Sequence, residues 1–328
     1  MTETSPRVSL VIPGRNCAET LRPCLEAVVQ ILRQPDIALA EILFVDDGST
    51  DGSASVASEY PVHVLTGQGL GAGAARNLGW RAAEHELVWF VDADCVARPD
   101  ALDRLLPHLV DPKVAAVSGS YDNARPESRL ARLIDEEIQV RHRRMGEEVD
   151  FLATFNVLYR RCVLEQLGGF DERYRKGQDA ELSFRAREAG HRLRFEHSSR
   201  VAHFHEDRLG PYLRTQRQQG YWRVFLHMEH RGHAGGDSYS RLSDHLQPPL
   251  AALAAACSPL CIWSAWPLAG ANFALLALQV PLAREVVRVR GSADGCAFVG
   301  MGFLRAYARG AGMVAGGFAW LFARLHRV

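Results

Sequence analysis

The stretch Leu87-Val88-Trp89-Phe90-Val91-Asp92-Ala93-Asp94-Cys95 decides how the first two thirds of the chain are read. An apolar run rich in Val and aromatics, without strict alternation, describes a strand covered on both faces, as in the middle of a parallel sheet. The run ends in Asp92 and Asp94, and open α/β sheets bind ligands at the carboxyl ends of their strands. Two such carboxylates reach a hard divalent cation through oxygen, and that cation can hold a diphosphate. Taken alone, Asp-x-Asp is equally the polar turn after any buried strand, so its neighbours decide the matter.

Upstream, Val8-Ser9-Leu10-Val11-Ile12 is a strand stopped by Pro13-Gly14, and Leu21, Leu25, Val28 and Leu32 follow at helical spacing. A second strand, Glu41 to Val45, runs into Asp46-Asp47-Gly48-Ser49-Thr50-Asp51. Strand, helix and strand imply a parallel pair, so the ends at Pro13 to Asn16, Asp46 to Gly48 and Asp92 to Asp94 converge on one cleft. The plainer alternative for the second end is a solvated loop with a helix cap. A short strand, Val62 to Leu65, then leads through Gly67, Gly69, Gly71 and Gly73 into a helix carrying Arg76. This glycine spacing differs from the dinucleotide fingerprint. Arg76 serves a phosphate or caps the cleft wall.

Beyond the Asp-x-Asp turn, a helix is expected from about Pro99 to Leu109 and a strand at Val114 to Val117. The charge-dense stretch from Arg125 to Asp150, with Glu136, Glu137 and Arg141 to Arg144, reads as a solvated helix face. Phe151 to Tyr159 returns to core character. In Gly177-Gln178-Asp179-Ala180-Glu181, Asp179 begins a helix, a place that suits a capping carboxylate and equally one aimed at a cleft. Val201-Ala202-His203-Phe204-His205 places two imidazoles on one strand face, as half-buried polar groups or as metal ligands.

At 328 residues and 47% hydrophobic content the chain can bury one large core or two smaller ones. Formal net charge is zero, which gives no footprint for nucleic acid. The opening Met-Thr-Glu-Thr-Ser-Pro-Arg lacks the basic and apolar regions of a secretory signal, so none is expected. Seven cysteines without a Cys-x-x-Cys pair indicate neither a disulfide framework nor a zinc site, and a reducing cytoplasm is expected around the catalytic part.

The ordered set of motifs resembles family 2 glycosyltransferases of the GT-A fold. It comprises Val8 to Asn16, Val45 to Asp51, Ala75-Arg76-Asn77-Leu78-Gly79, Val91 to Asp94, Gly168-Gly169-Phe170-Asp171-Glu172, Gly177 to Leu182 and Val201-Ala202-His203. The resemblance implies an α/β, Rossmann-like, mainly parallel sheet domain over residues 1–225. It further implies that Pro13, Arg15, Asn16, Asp46, Asp47, Arg76, Asp92 and Asp94 bind a nucleotide sugar. Asp94 and His203, or His205 in its place, would hold Mg²⁺ or Mn²⁺, and Asp179 would be the base that deprotonates the acceptor. Gly14-Arg15 stands where many relatives have Thr-Tyr, which leaves the base of the nucleotide open, and Gln178 replaces the usual acid before Asp179. Gln216 to Trp222 resembles only loosely the Gln-x-x-Arg-Trp element of processive synthases, so transfer of a single sugar is expected.

From Leu246 to Ala283 no charged residue occurs, whereas about 20 apolar residues span a bilayer as a helix. With Pro267 to Gly270 as the break, Arg241 before it, and Arg284, Arg288 and Arg290 after it, the run reads as a membrane hairpin with both ends cytoplasmic. A buried helical pair or a dimer interface is the alternative. Residues 226–245 are expected as a linker and residues 246–328 as an all-α membrane-associated region. Within it, about 296–325, carrying Arg305 and Arg309 one turn apart, reads as an interfacial helix. The reading is an inverting, metal-dependent glycosyltransferase at the inner membrane, facing the cytoplasm, with a nucleotide-sugar donor and a lipid-linked or glycan acceptor. Its rivals are a sugar nucleotidyltransferase and a membrane-anchored binding subunit without turnover.

Overall fold

The computed structural model describes residues 6–35, 37–230, 232 and 237–325. The first five residues of the opening, residues 231 and 233–236 of the expected linker and the last three residues lie outside that description. Two compact units are present, Met1–Arg125 with Met145–His205, and Pro126–Arg144 with Glu206–Val328.

The first unit is built on a nine-stranded sheet, ordered β3-β2-β1-β4-β8-β6-β9-β5 with β7 paired to β9. Its strands are β1 (Val8–Gly14), β2 (Leu39–Asp46), β3 (His63–Thr66), β4 (Leu87–Val91), β5 (Cys95–Ala97), β6 (Val114–Asn123), β7 (Glu148–Val149), β8 (Asn156–Arg160) and β9 (Arg192–His203). From β3 to β4 the pairing is parallel, as the apolar runs require; β8 then runs antiparallel to both β4 and β6, so the sheet as a whole is mixed. Strand β1 has β2 on one side and β4 on the other, which puts a topological switch point at its carboxyl end. Every residue of β4 is buried, and Trp89 donates its indole N–H to Asn156 at 2.9 Å.

Helices α1 (Ala18–Leu32), α2 (Ser53–Ala57), α3 (Ala72–Ala82), α4 (Ala101–Leu105), α6 (Arg161–Leu167) and α7 (Gln178–Glu188) belong to this unit, with α5 (Arg129–His142) leaving the chain between β6 and β7 for the other. Helix α3 lies directly on β1, because a Cβ at Gly79 would sit 2.2 Å from Val11 Cγ1. Asn77, one face over, receives the Phe170 N–H at 2.9 Å and donates to the Phe170 carbonyl at 2.8 Å, which fixes the Gly168 to Glu172 turn.

The second unit contains α5, α8 (Leu209–Glu229), α9 (Leu242–Cys257), α10 (Trp266–Arg290) and α11 (Ser292–Leu325). Leu133, Tyr212, Val286, Phe298 and Met301 form one core and Ala251, Leu275 and Ala306 another. Helices α8 and α11 touch backbone to backbone, since a Cβ at Gly312 would lie 1.9 Å from the Arg217 carbonyl and one at Gly220 2.1 Å from that of Arg309. Gln216 and Gln219 accept from the Arg309 guanidinium at 2.8 and 3.0 Å, so the Gln216 to Trp222 stretch serves helix packing here.

Several expectations differ from what is found. The boundary expected at 225 falls inside α8, because that helix packs on α11. The charged stretch that reads as a solvated face forms α5, in which Asp135, Glu136, Glu137, Arg141 and His142 are buried. They are tolerated because they are paired: Glu137 with Arg141 at 2.7 Å and with Arg305, Arg141 with Asp244 at 2.7 Å, and Glu136 with Arg290 at 3.3 Å. Arg305, which with Arg309 made this stretch read as an interfacial helix, is therefore interior. The chain breaks before Trp266 instead of at Pro267, which occupies the first turn of α10, where a proline loses no helical hydrogen bond. Helix α9 has 16 residues, about 24 Å, which is short of a bilayer core of about 30 Å. Among the described residues α10 alone is long and apolar enough to cross a membrane.

Candidate active site

Three loops at the carboxyl ends of β1, β2 and β3 are stitched into one floor. Asn16, at φ 51°, donates its backbone N–H to Ser49 Oγ at 2.8 Å and accepts the Thr50 N–H at 2.8 Å. Asp51 accepts the Ala18 N–H at 2.9 Å and thereby caps α1 from a neighbouring loop, since Cys17 at the N-cap offers no side-chain cap of its own. Asp46 accepts the Ser49 N–H at 3.0 Å. Asp47, 4% exposed, takes three backbone N–H groups, from Gly69 at 2.9 Å, Leu70 at 3.1 Å and Gly71 at 2.7 Å, and so shapes the glycine-rich loop. Pro13 faces Val45 across the β1–β2 pair, and Arg15 reaches the Gly69 carbonyl at 3.4 Å. Of the expected nucleotide contacts, Asn16, Asp46 and Asp47 thus have side-chain oxygens already engaged by backbone.

A second group gathers where β4 ends and α7 begins. Arg76, 4% exposed, donates to Asp92 at 2.5 Å, while its Nε and Nη1 find no partner among the described residues. Burial on this scale is costly for a guanidinium with unused donors. Gln178, also buried, has an unpartnered Oε1. Asp179 accepts only its neighbour's N–H, from Ala180 at 2.9 Å, among the side-chain bonds described. Burial pushes the Asp179 carboxyl above the usual range, the Arg76 charge works against that rise and Asp92 adds to it. Glu181, by contrast, is held by Arg185 at 2.5 and 2.6 Å, and Arg185 in turn donates to the Leu167 and Gly169 carbonyls at 2.5 and 2.7 Å. Nothing in the sequence spacing announces the claim of Arg185 on that carboxylate beyond an i, i+4 pair.

The third group is Asp94, Cys95 and His203, whose candidate ligand atoms lie within 4.8 Å of one another. Asp94 Oδ2 is 3.3 Å from His203 Nε2, and His203 Nδ1 is 2.7 Å from His205 Nδ1, which leaves Nε2 as the nitrogen directed at the carboxylate. Burial disfavours charge on both partners, yet the His203 imidazole still holds Asp94 below its ordinary value and Asp94 raises His203. Burial drives the Cys95 thiol well above its ordinary value, and a soft sulfur ligand does not suit a hard cation such as Mg²⁺ or Mn²⁺. What remains, one carboxylate and one imidazole, fits a cation of the Mg²⁺ or Mn²⁺ kind that keeps most positions for phosphate and water, and does not fit a closed thiolate zinc site. A lone cysteine carries no ligand signal in sequence, and only the fold brings Cys95 beside Asp94 and His203.

Residues 9–168 match the family described as glycosyl transferase family 2. A pre-mycofactocin glycosyltransferase of Mycobacterium tuberculosis is 30% identical over 218 residues, covering 63% of this chain and 44% of that protein. The succinoglycan biosynthesis protein ExoU of Rhizobium meliloti is 33% identical, covering 60% of this chain and 62% of that protein. The chain thus spans less than two thirds of the length of either relative. The mannosyltransferase PcManGT from Pyrobaculum calidifontis, solved with GDP-Man and Mn²⁺, shares the fold at a TM-score of 0.60 and 19% identity, over 94% of this chain and 88% of that one.

Proposed function

We propose that this chain, whose residues 9–168 match glycosyl transferase family 2, acts as a member of that family and moves one sugar from a nucleotide-sugar donor to an acceptor hydroxyl with inversion. The observation that carries this reading is an under-satisfied Arg76 that is paired with Asp92 and whose charge reaches Asp179, with Asp94 two residues beyond Asp92 at the end of the same strand. The stitched loops of Asn16, Asp46 and Asp47, with Pro13 and Arg15 beside them, form the nucleotide side, and Arg76, whose Nε and Nη1 have no acceptor among the described residues, supplies positive charge behind Asp92. Asp179 takes the acceptor proton as the acceptor oxygen bonds to the anomeric carbon. The bond from that carbon to the nucleoside diphosphate breaks on the opposite face, and the diphosphate leaves with the electron pair. A raised carboxyl suits a base that must be free yet basic, and Glu181, spent on Arg185, does not compete. Asp94 and His203 would hold a divalent cation, which when bound neutralises the departing diphosphate.

A lipid-linked or cell-envelope glycan is the acceptor, at the cytoplasmic face of the inner membrane. Support comes from α10, most of whose apolar window is unburied, from Trp263 and Trp266 at 84% exposure just before and at its start, and from the basic Arg284, Arg288 and Arg290 at its other end. Relatives named for succinoglycan synthesis and O-antigen chains point the same way. The test is release of nucleoside diphosphate from a panel of UDP-, GDP- and TDP-sugars with and without Mn²⁺. One donor turned over with metal stimulation is expected; no binding and no turnover across the panel would overturn the reading.

A further inference from the structure

The helical unit contains a cavity of about 90 Å³ at the amino end of α9, walled by the carboxyl end of α5, the turn before α9 and the middle of α10. Three arginines and two aspartates line it. Both acids are committed. Asp244 accepts two bonds from Arg141, at 2.7 and 2.9 Å, and the backbone N–H of Arg241 at 2.9 Å. Asp237 accepts the Tyr239 and Ser240 N–H groups at 3.0 and 2.5 Å and lies 3.7 Å from Arg223. Arg141 is spent on Asp244 and Glu137.

Arg144 and Arg241 are left over: among the described residues neither guanidinium has a carboxylate within ion-pair distance. The acid whose field reaches Arg144 is Glu285, itself paired with Arg288 at 3.0 Å. Both arginines are exposed, and loss of hydration, then the like charge of Arg241, pull Arg144 below its ordinary value, with Glu285 working against that. The start of α9 adds its helix dipole, which favours an anion at that end. Serines and Gln247 line the α9 side, and α10 contributes Gln279 together with an apolar strip of Leu278, Pro281 and Leu282, beside which Leu276 and Val280 are exposed.

We propose that this cavity binds the terminal phosphate monoester of a membrane lipid, with the phosphate on Arg144 and Arg241 and the chains laid along the apolar outer face of α10. An arginine fork matches phosphate oxygens two at a time, and an apolar strip directly beside it selects a phosphate that carries hydrocarbon over one that is free. No residue of the sugar-transfer site enters this inference, so the two stand or fall separately.

The test uses detergent-solubilised full-length protein and calorimetry with three probes: dioctanoyl phosphatidic acid, dioctanoyl phosphatidylcholine and inorganic phosphate. Phosphatidic acid should bind one to one, phosphatidylcholine should not, and inorganic phosphate should bind far more weakly. Arg144→Gln and Arg241→Gln should each weaken phosphatidic acid binding about tenfold or more. The corresponding lysine variants, which keep the charge and lose the fork, should fall in between. Should a glutamine variant melt early, the lysine variants supply the comparison. Glutamine variants with unchanged melting and unchanged affinity overturn the site. Equal binding of phosphatidylcholine, whose phosphodiester is neutralised by choline, shows that a terminal phosphate is not what the site recognises, and equal binding of inorganic phosphate shows a soluble-anion site; either result overturns the assignment.

Discussion

In the helical unit Glu137 is buried between Arg141 at 2.7 Å and Arg305, and Arg141 is closed off in turn by Asp244, so each of these charges meets its opposite. In the sheet unit Arg76 is equally buried, but among the described residues it meets one carboxylate and keeps two unused donors, while Asp179 accepts a single backbone bond there. A closed network of buried charge holds structure and asks for nothing else. An open one costs stability without return from the protein alone, which is the signature of groups arranged for a ligand. Glu137 itself registers the closure: burial works against its charge, yet Arg305 and then Arg141 hold its carboxyl below the ordinary range, whereas Asp179 is pushed above it.

The comparison breaks most visibly at the open network. Asp179→Asn keeps size and removes the proton acceptor, so transfer should fall by about 10²–10⁴ while donor affinity in calorimetry stays level. Glu181→Gln should leave transfer standing and lower the melting temperature instead, since it weakens only the Arg185 clasp; a dead Glu181 variant beside an active Asp179 variant would show that the wrong carboxylate was named. Asp94→Ala should cost donor affinity as well as rate, several kcal/mol or about a thousandfold in metal-stimulated turnover. Turnover that still responds to Mn²⁺ in that variant would remove Asp94 from the metal site. At the closed network the expected loss is of another kind. Glu137→Gln leaves two buried guanidinia short of a charge and should destabilise the helical unit by about 3–5 kcal/mol in urea unfolding. A variant as stable as the parent would mean the pairs contribute little.

The smallest effect is on pH. With its carboxyl raised by burial, Asp179 is ionised only above the ordinary carboxylate range, so the acidic limb of the rate profile should lie above the position of a solvent-exposed aspartate. The sign for stability is opposite to that of a salt-bridged acid: the folded state favours the protonated form, a contribution present at low pH and lost as pH rises through the raised value. A limb at the ordinary aspartate position would show that the residue is solvated in the working enzyme.

Much of this was legible because the signals are local. Apolar runs ending in Pro13, Asp46 and Asp92 gave the parallel strands and the edge on which ligands gather, and the placement of Asp179 in the first turn of α7 follows from Gly177 and the apolar spacing after it. What sequence could not yield is partnership at a distance. The charge density of α5 reads as a wet surface until its partner is known, and Arg305 lies 168 positions downstream of Glu137. Asp51 looks like one more acid in a polar loop, although it caps a helix that begins 33 residues before it. Pro267 looks like a break because the residue is a poor helix former in general, and only the observed start of α10 at Trp266 shows it in the position where it is harmless.

That long reach from Glu137 to Arg305 has a consequence in time. On a ribosome making about 5–20 residues per second, α5 emerges roughly 8–34 s before the arginine that will neutralise it. All residues of the sheet unit have been made once the chain reaches His205, well before α11. Until its partners arrive, the density of charge on α5 keeps it hydrated, and a nascent helix with that many acids and bases resists sticking to other chains. The same residues that lock the finished helical unit therefore act first as a solubility tag for their own unfinished segment.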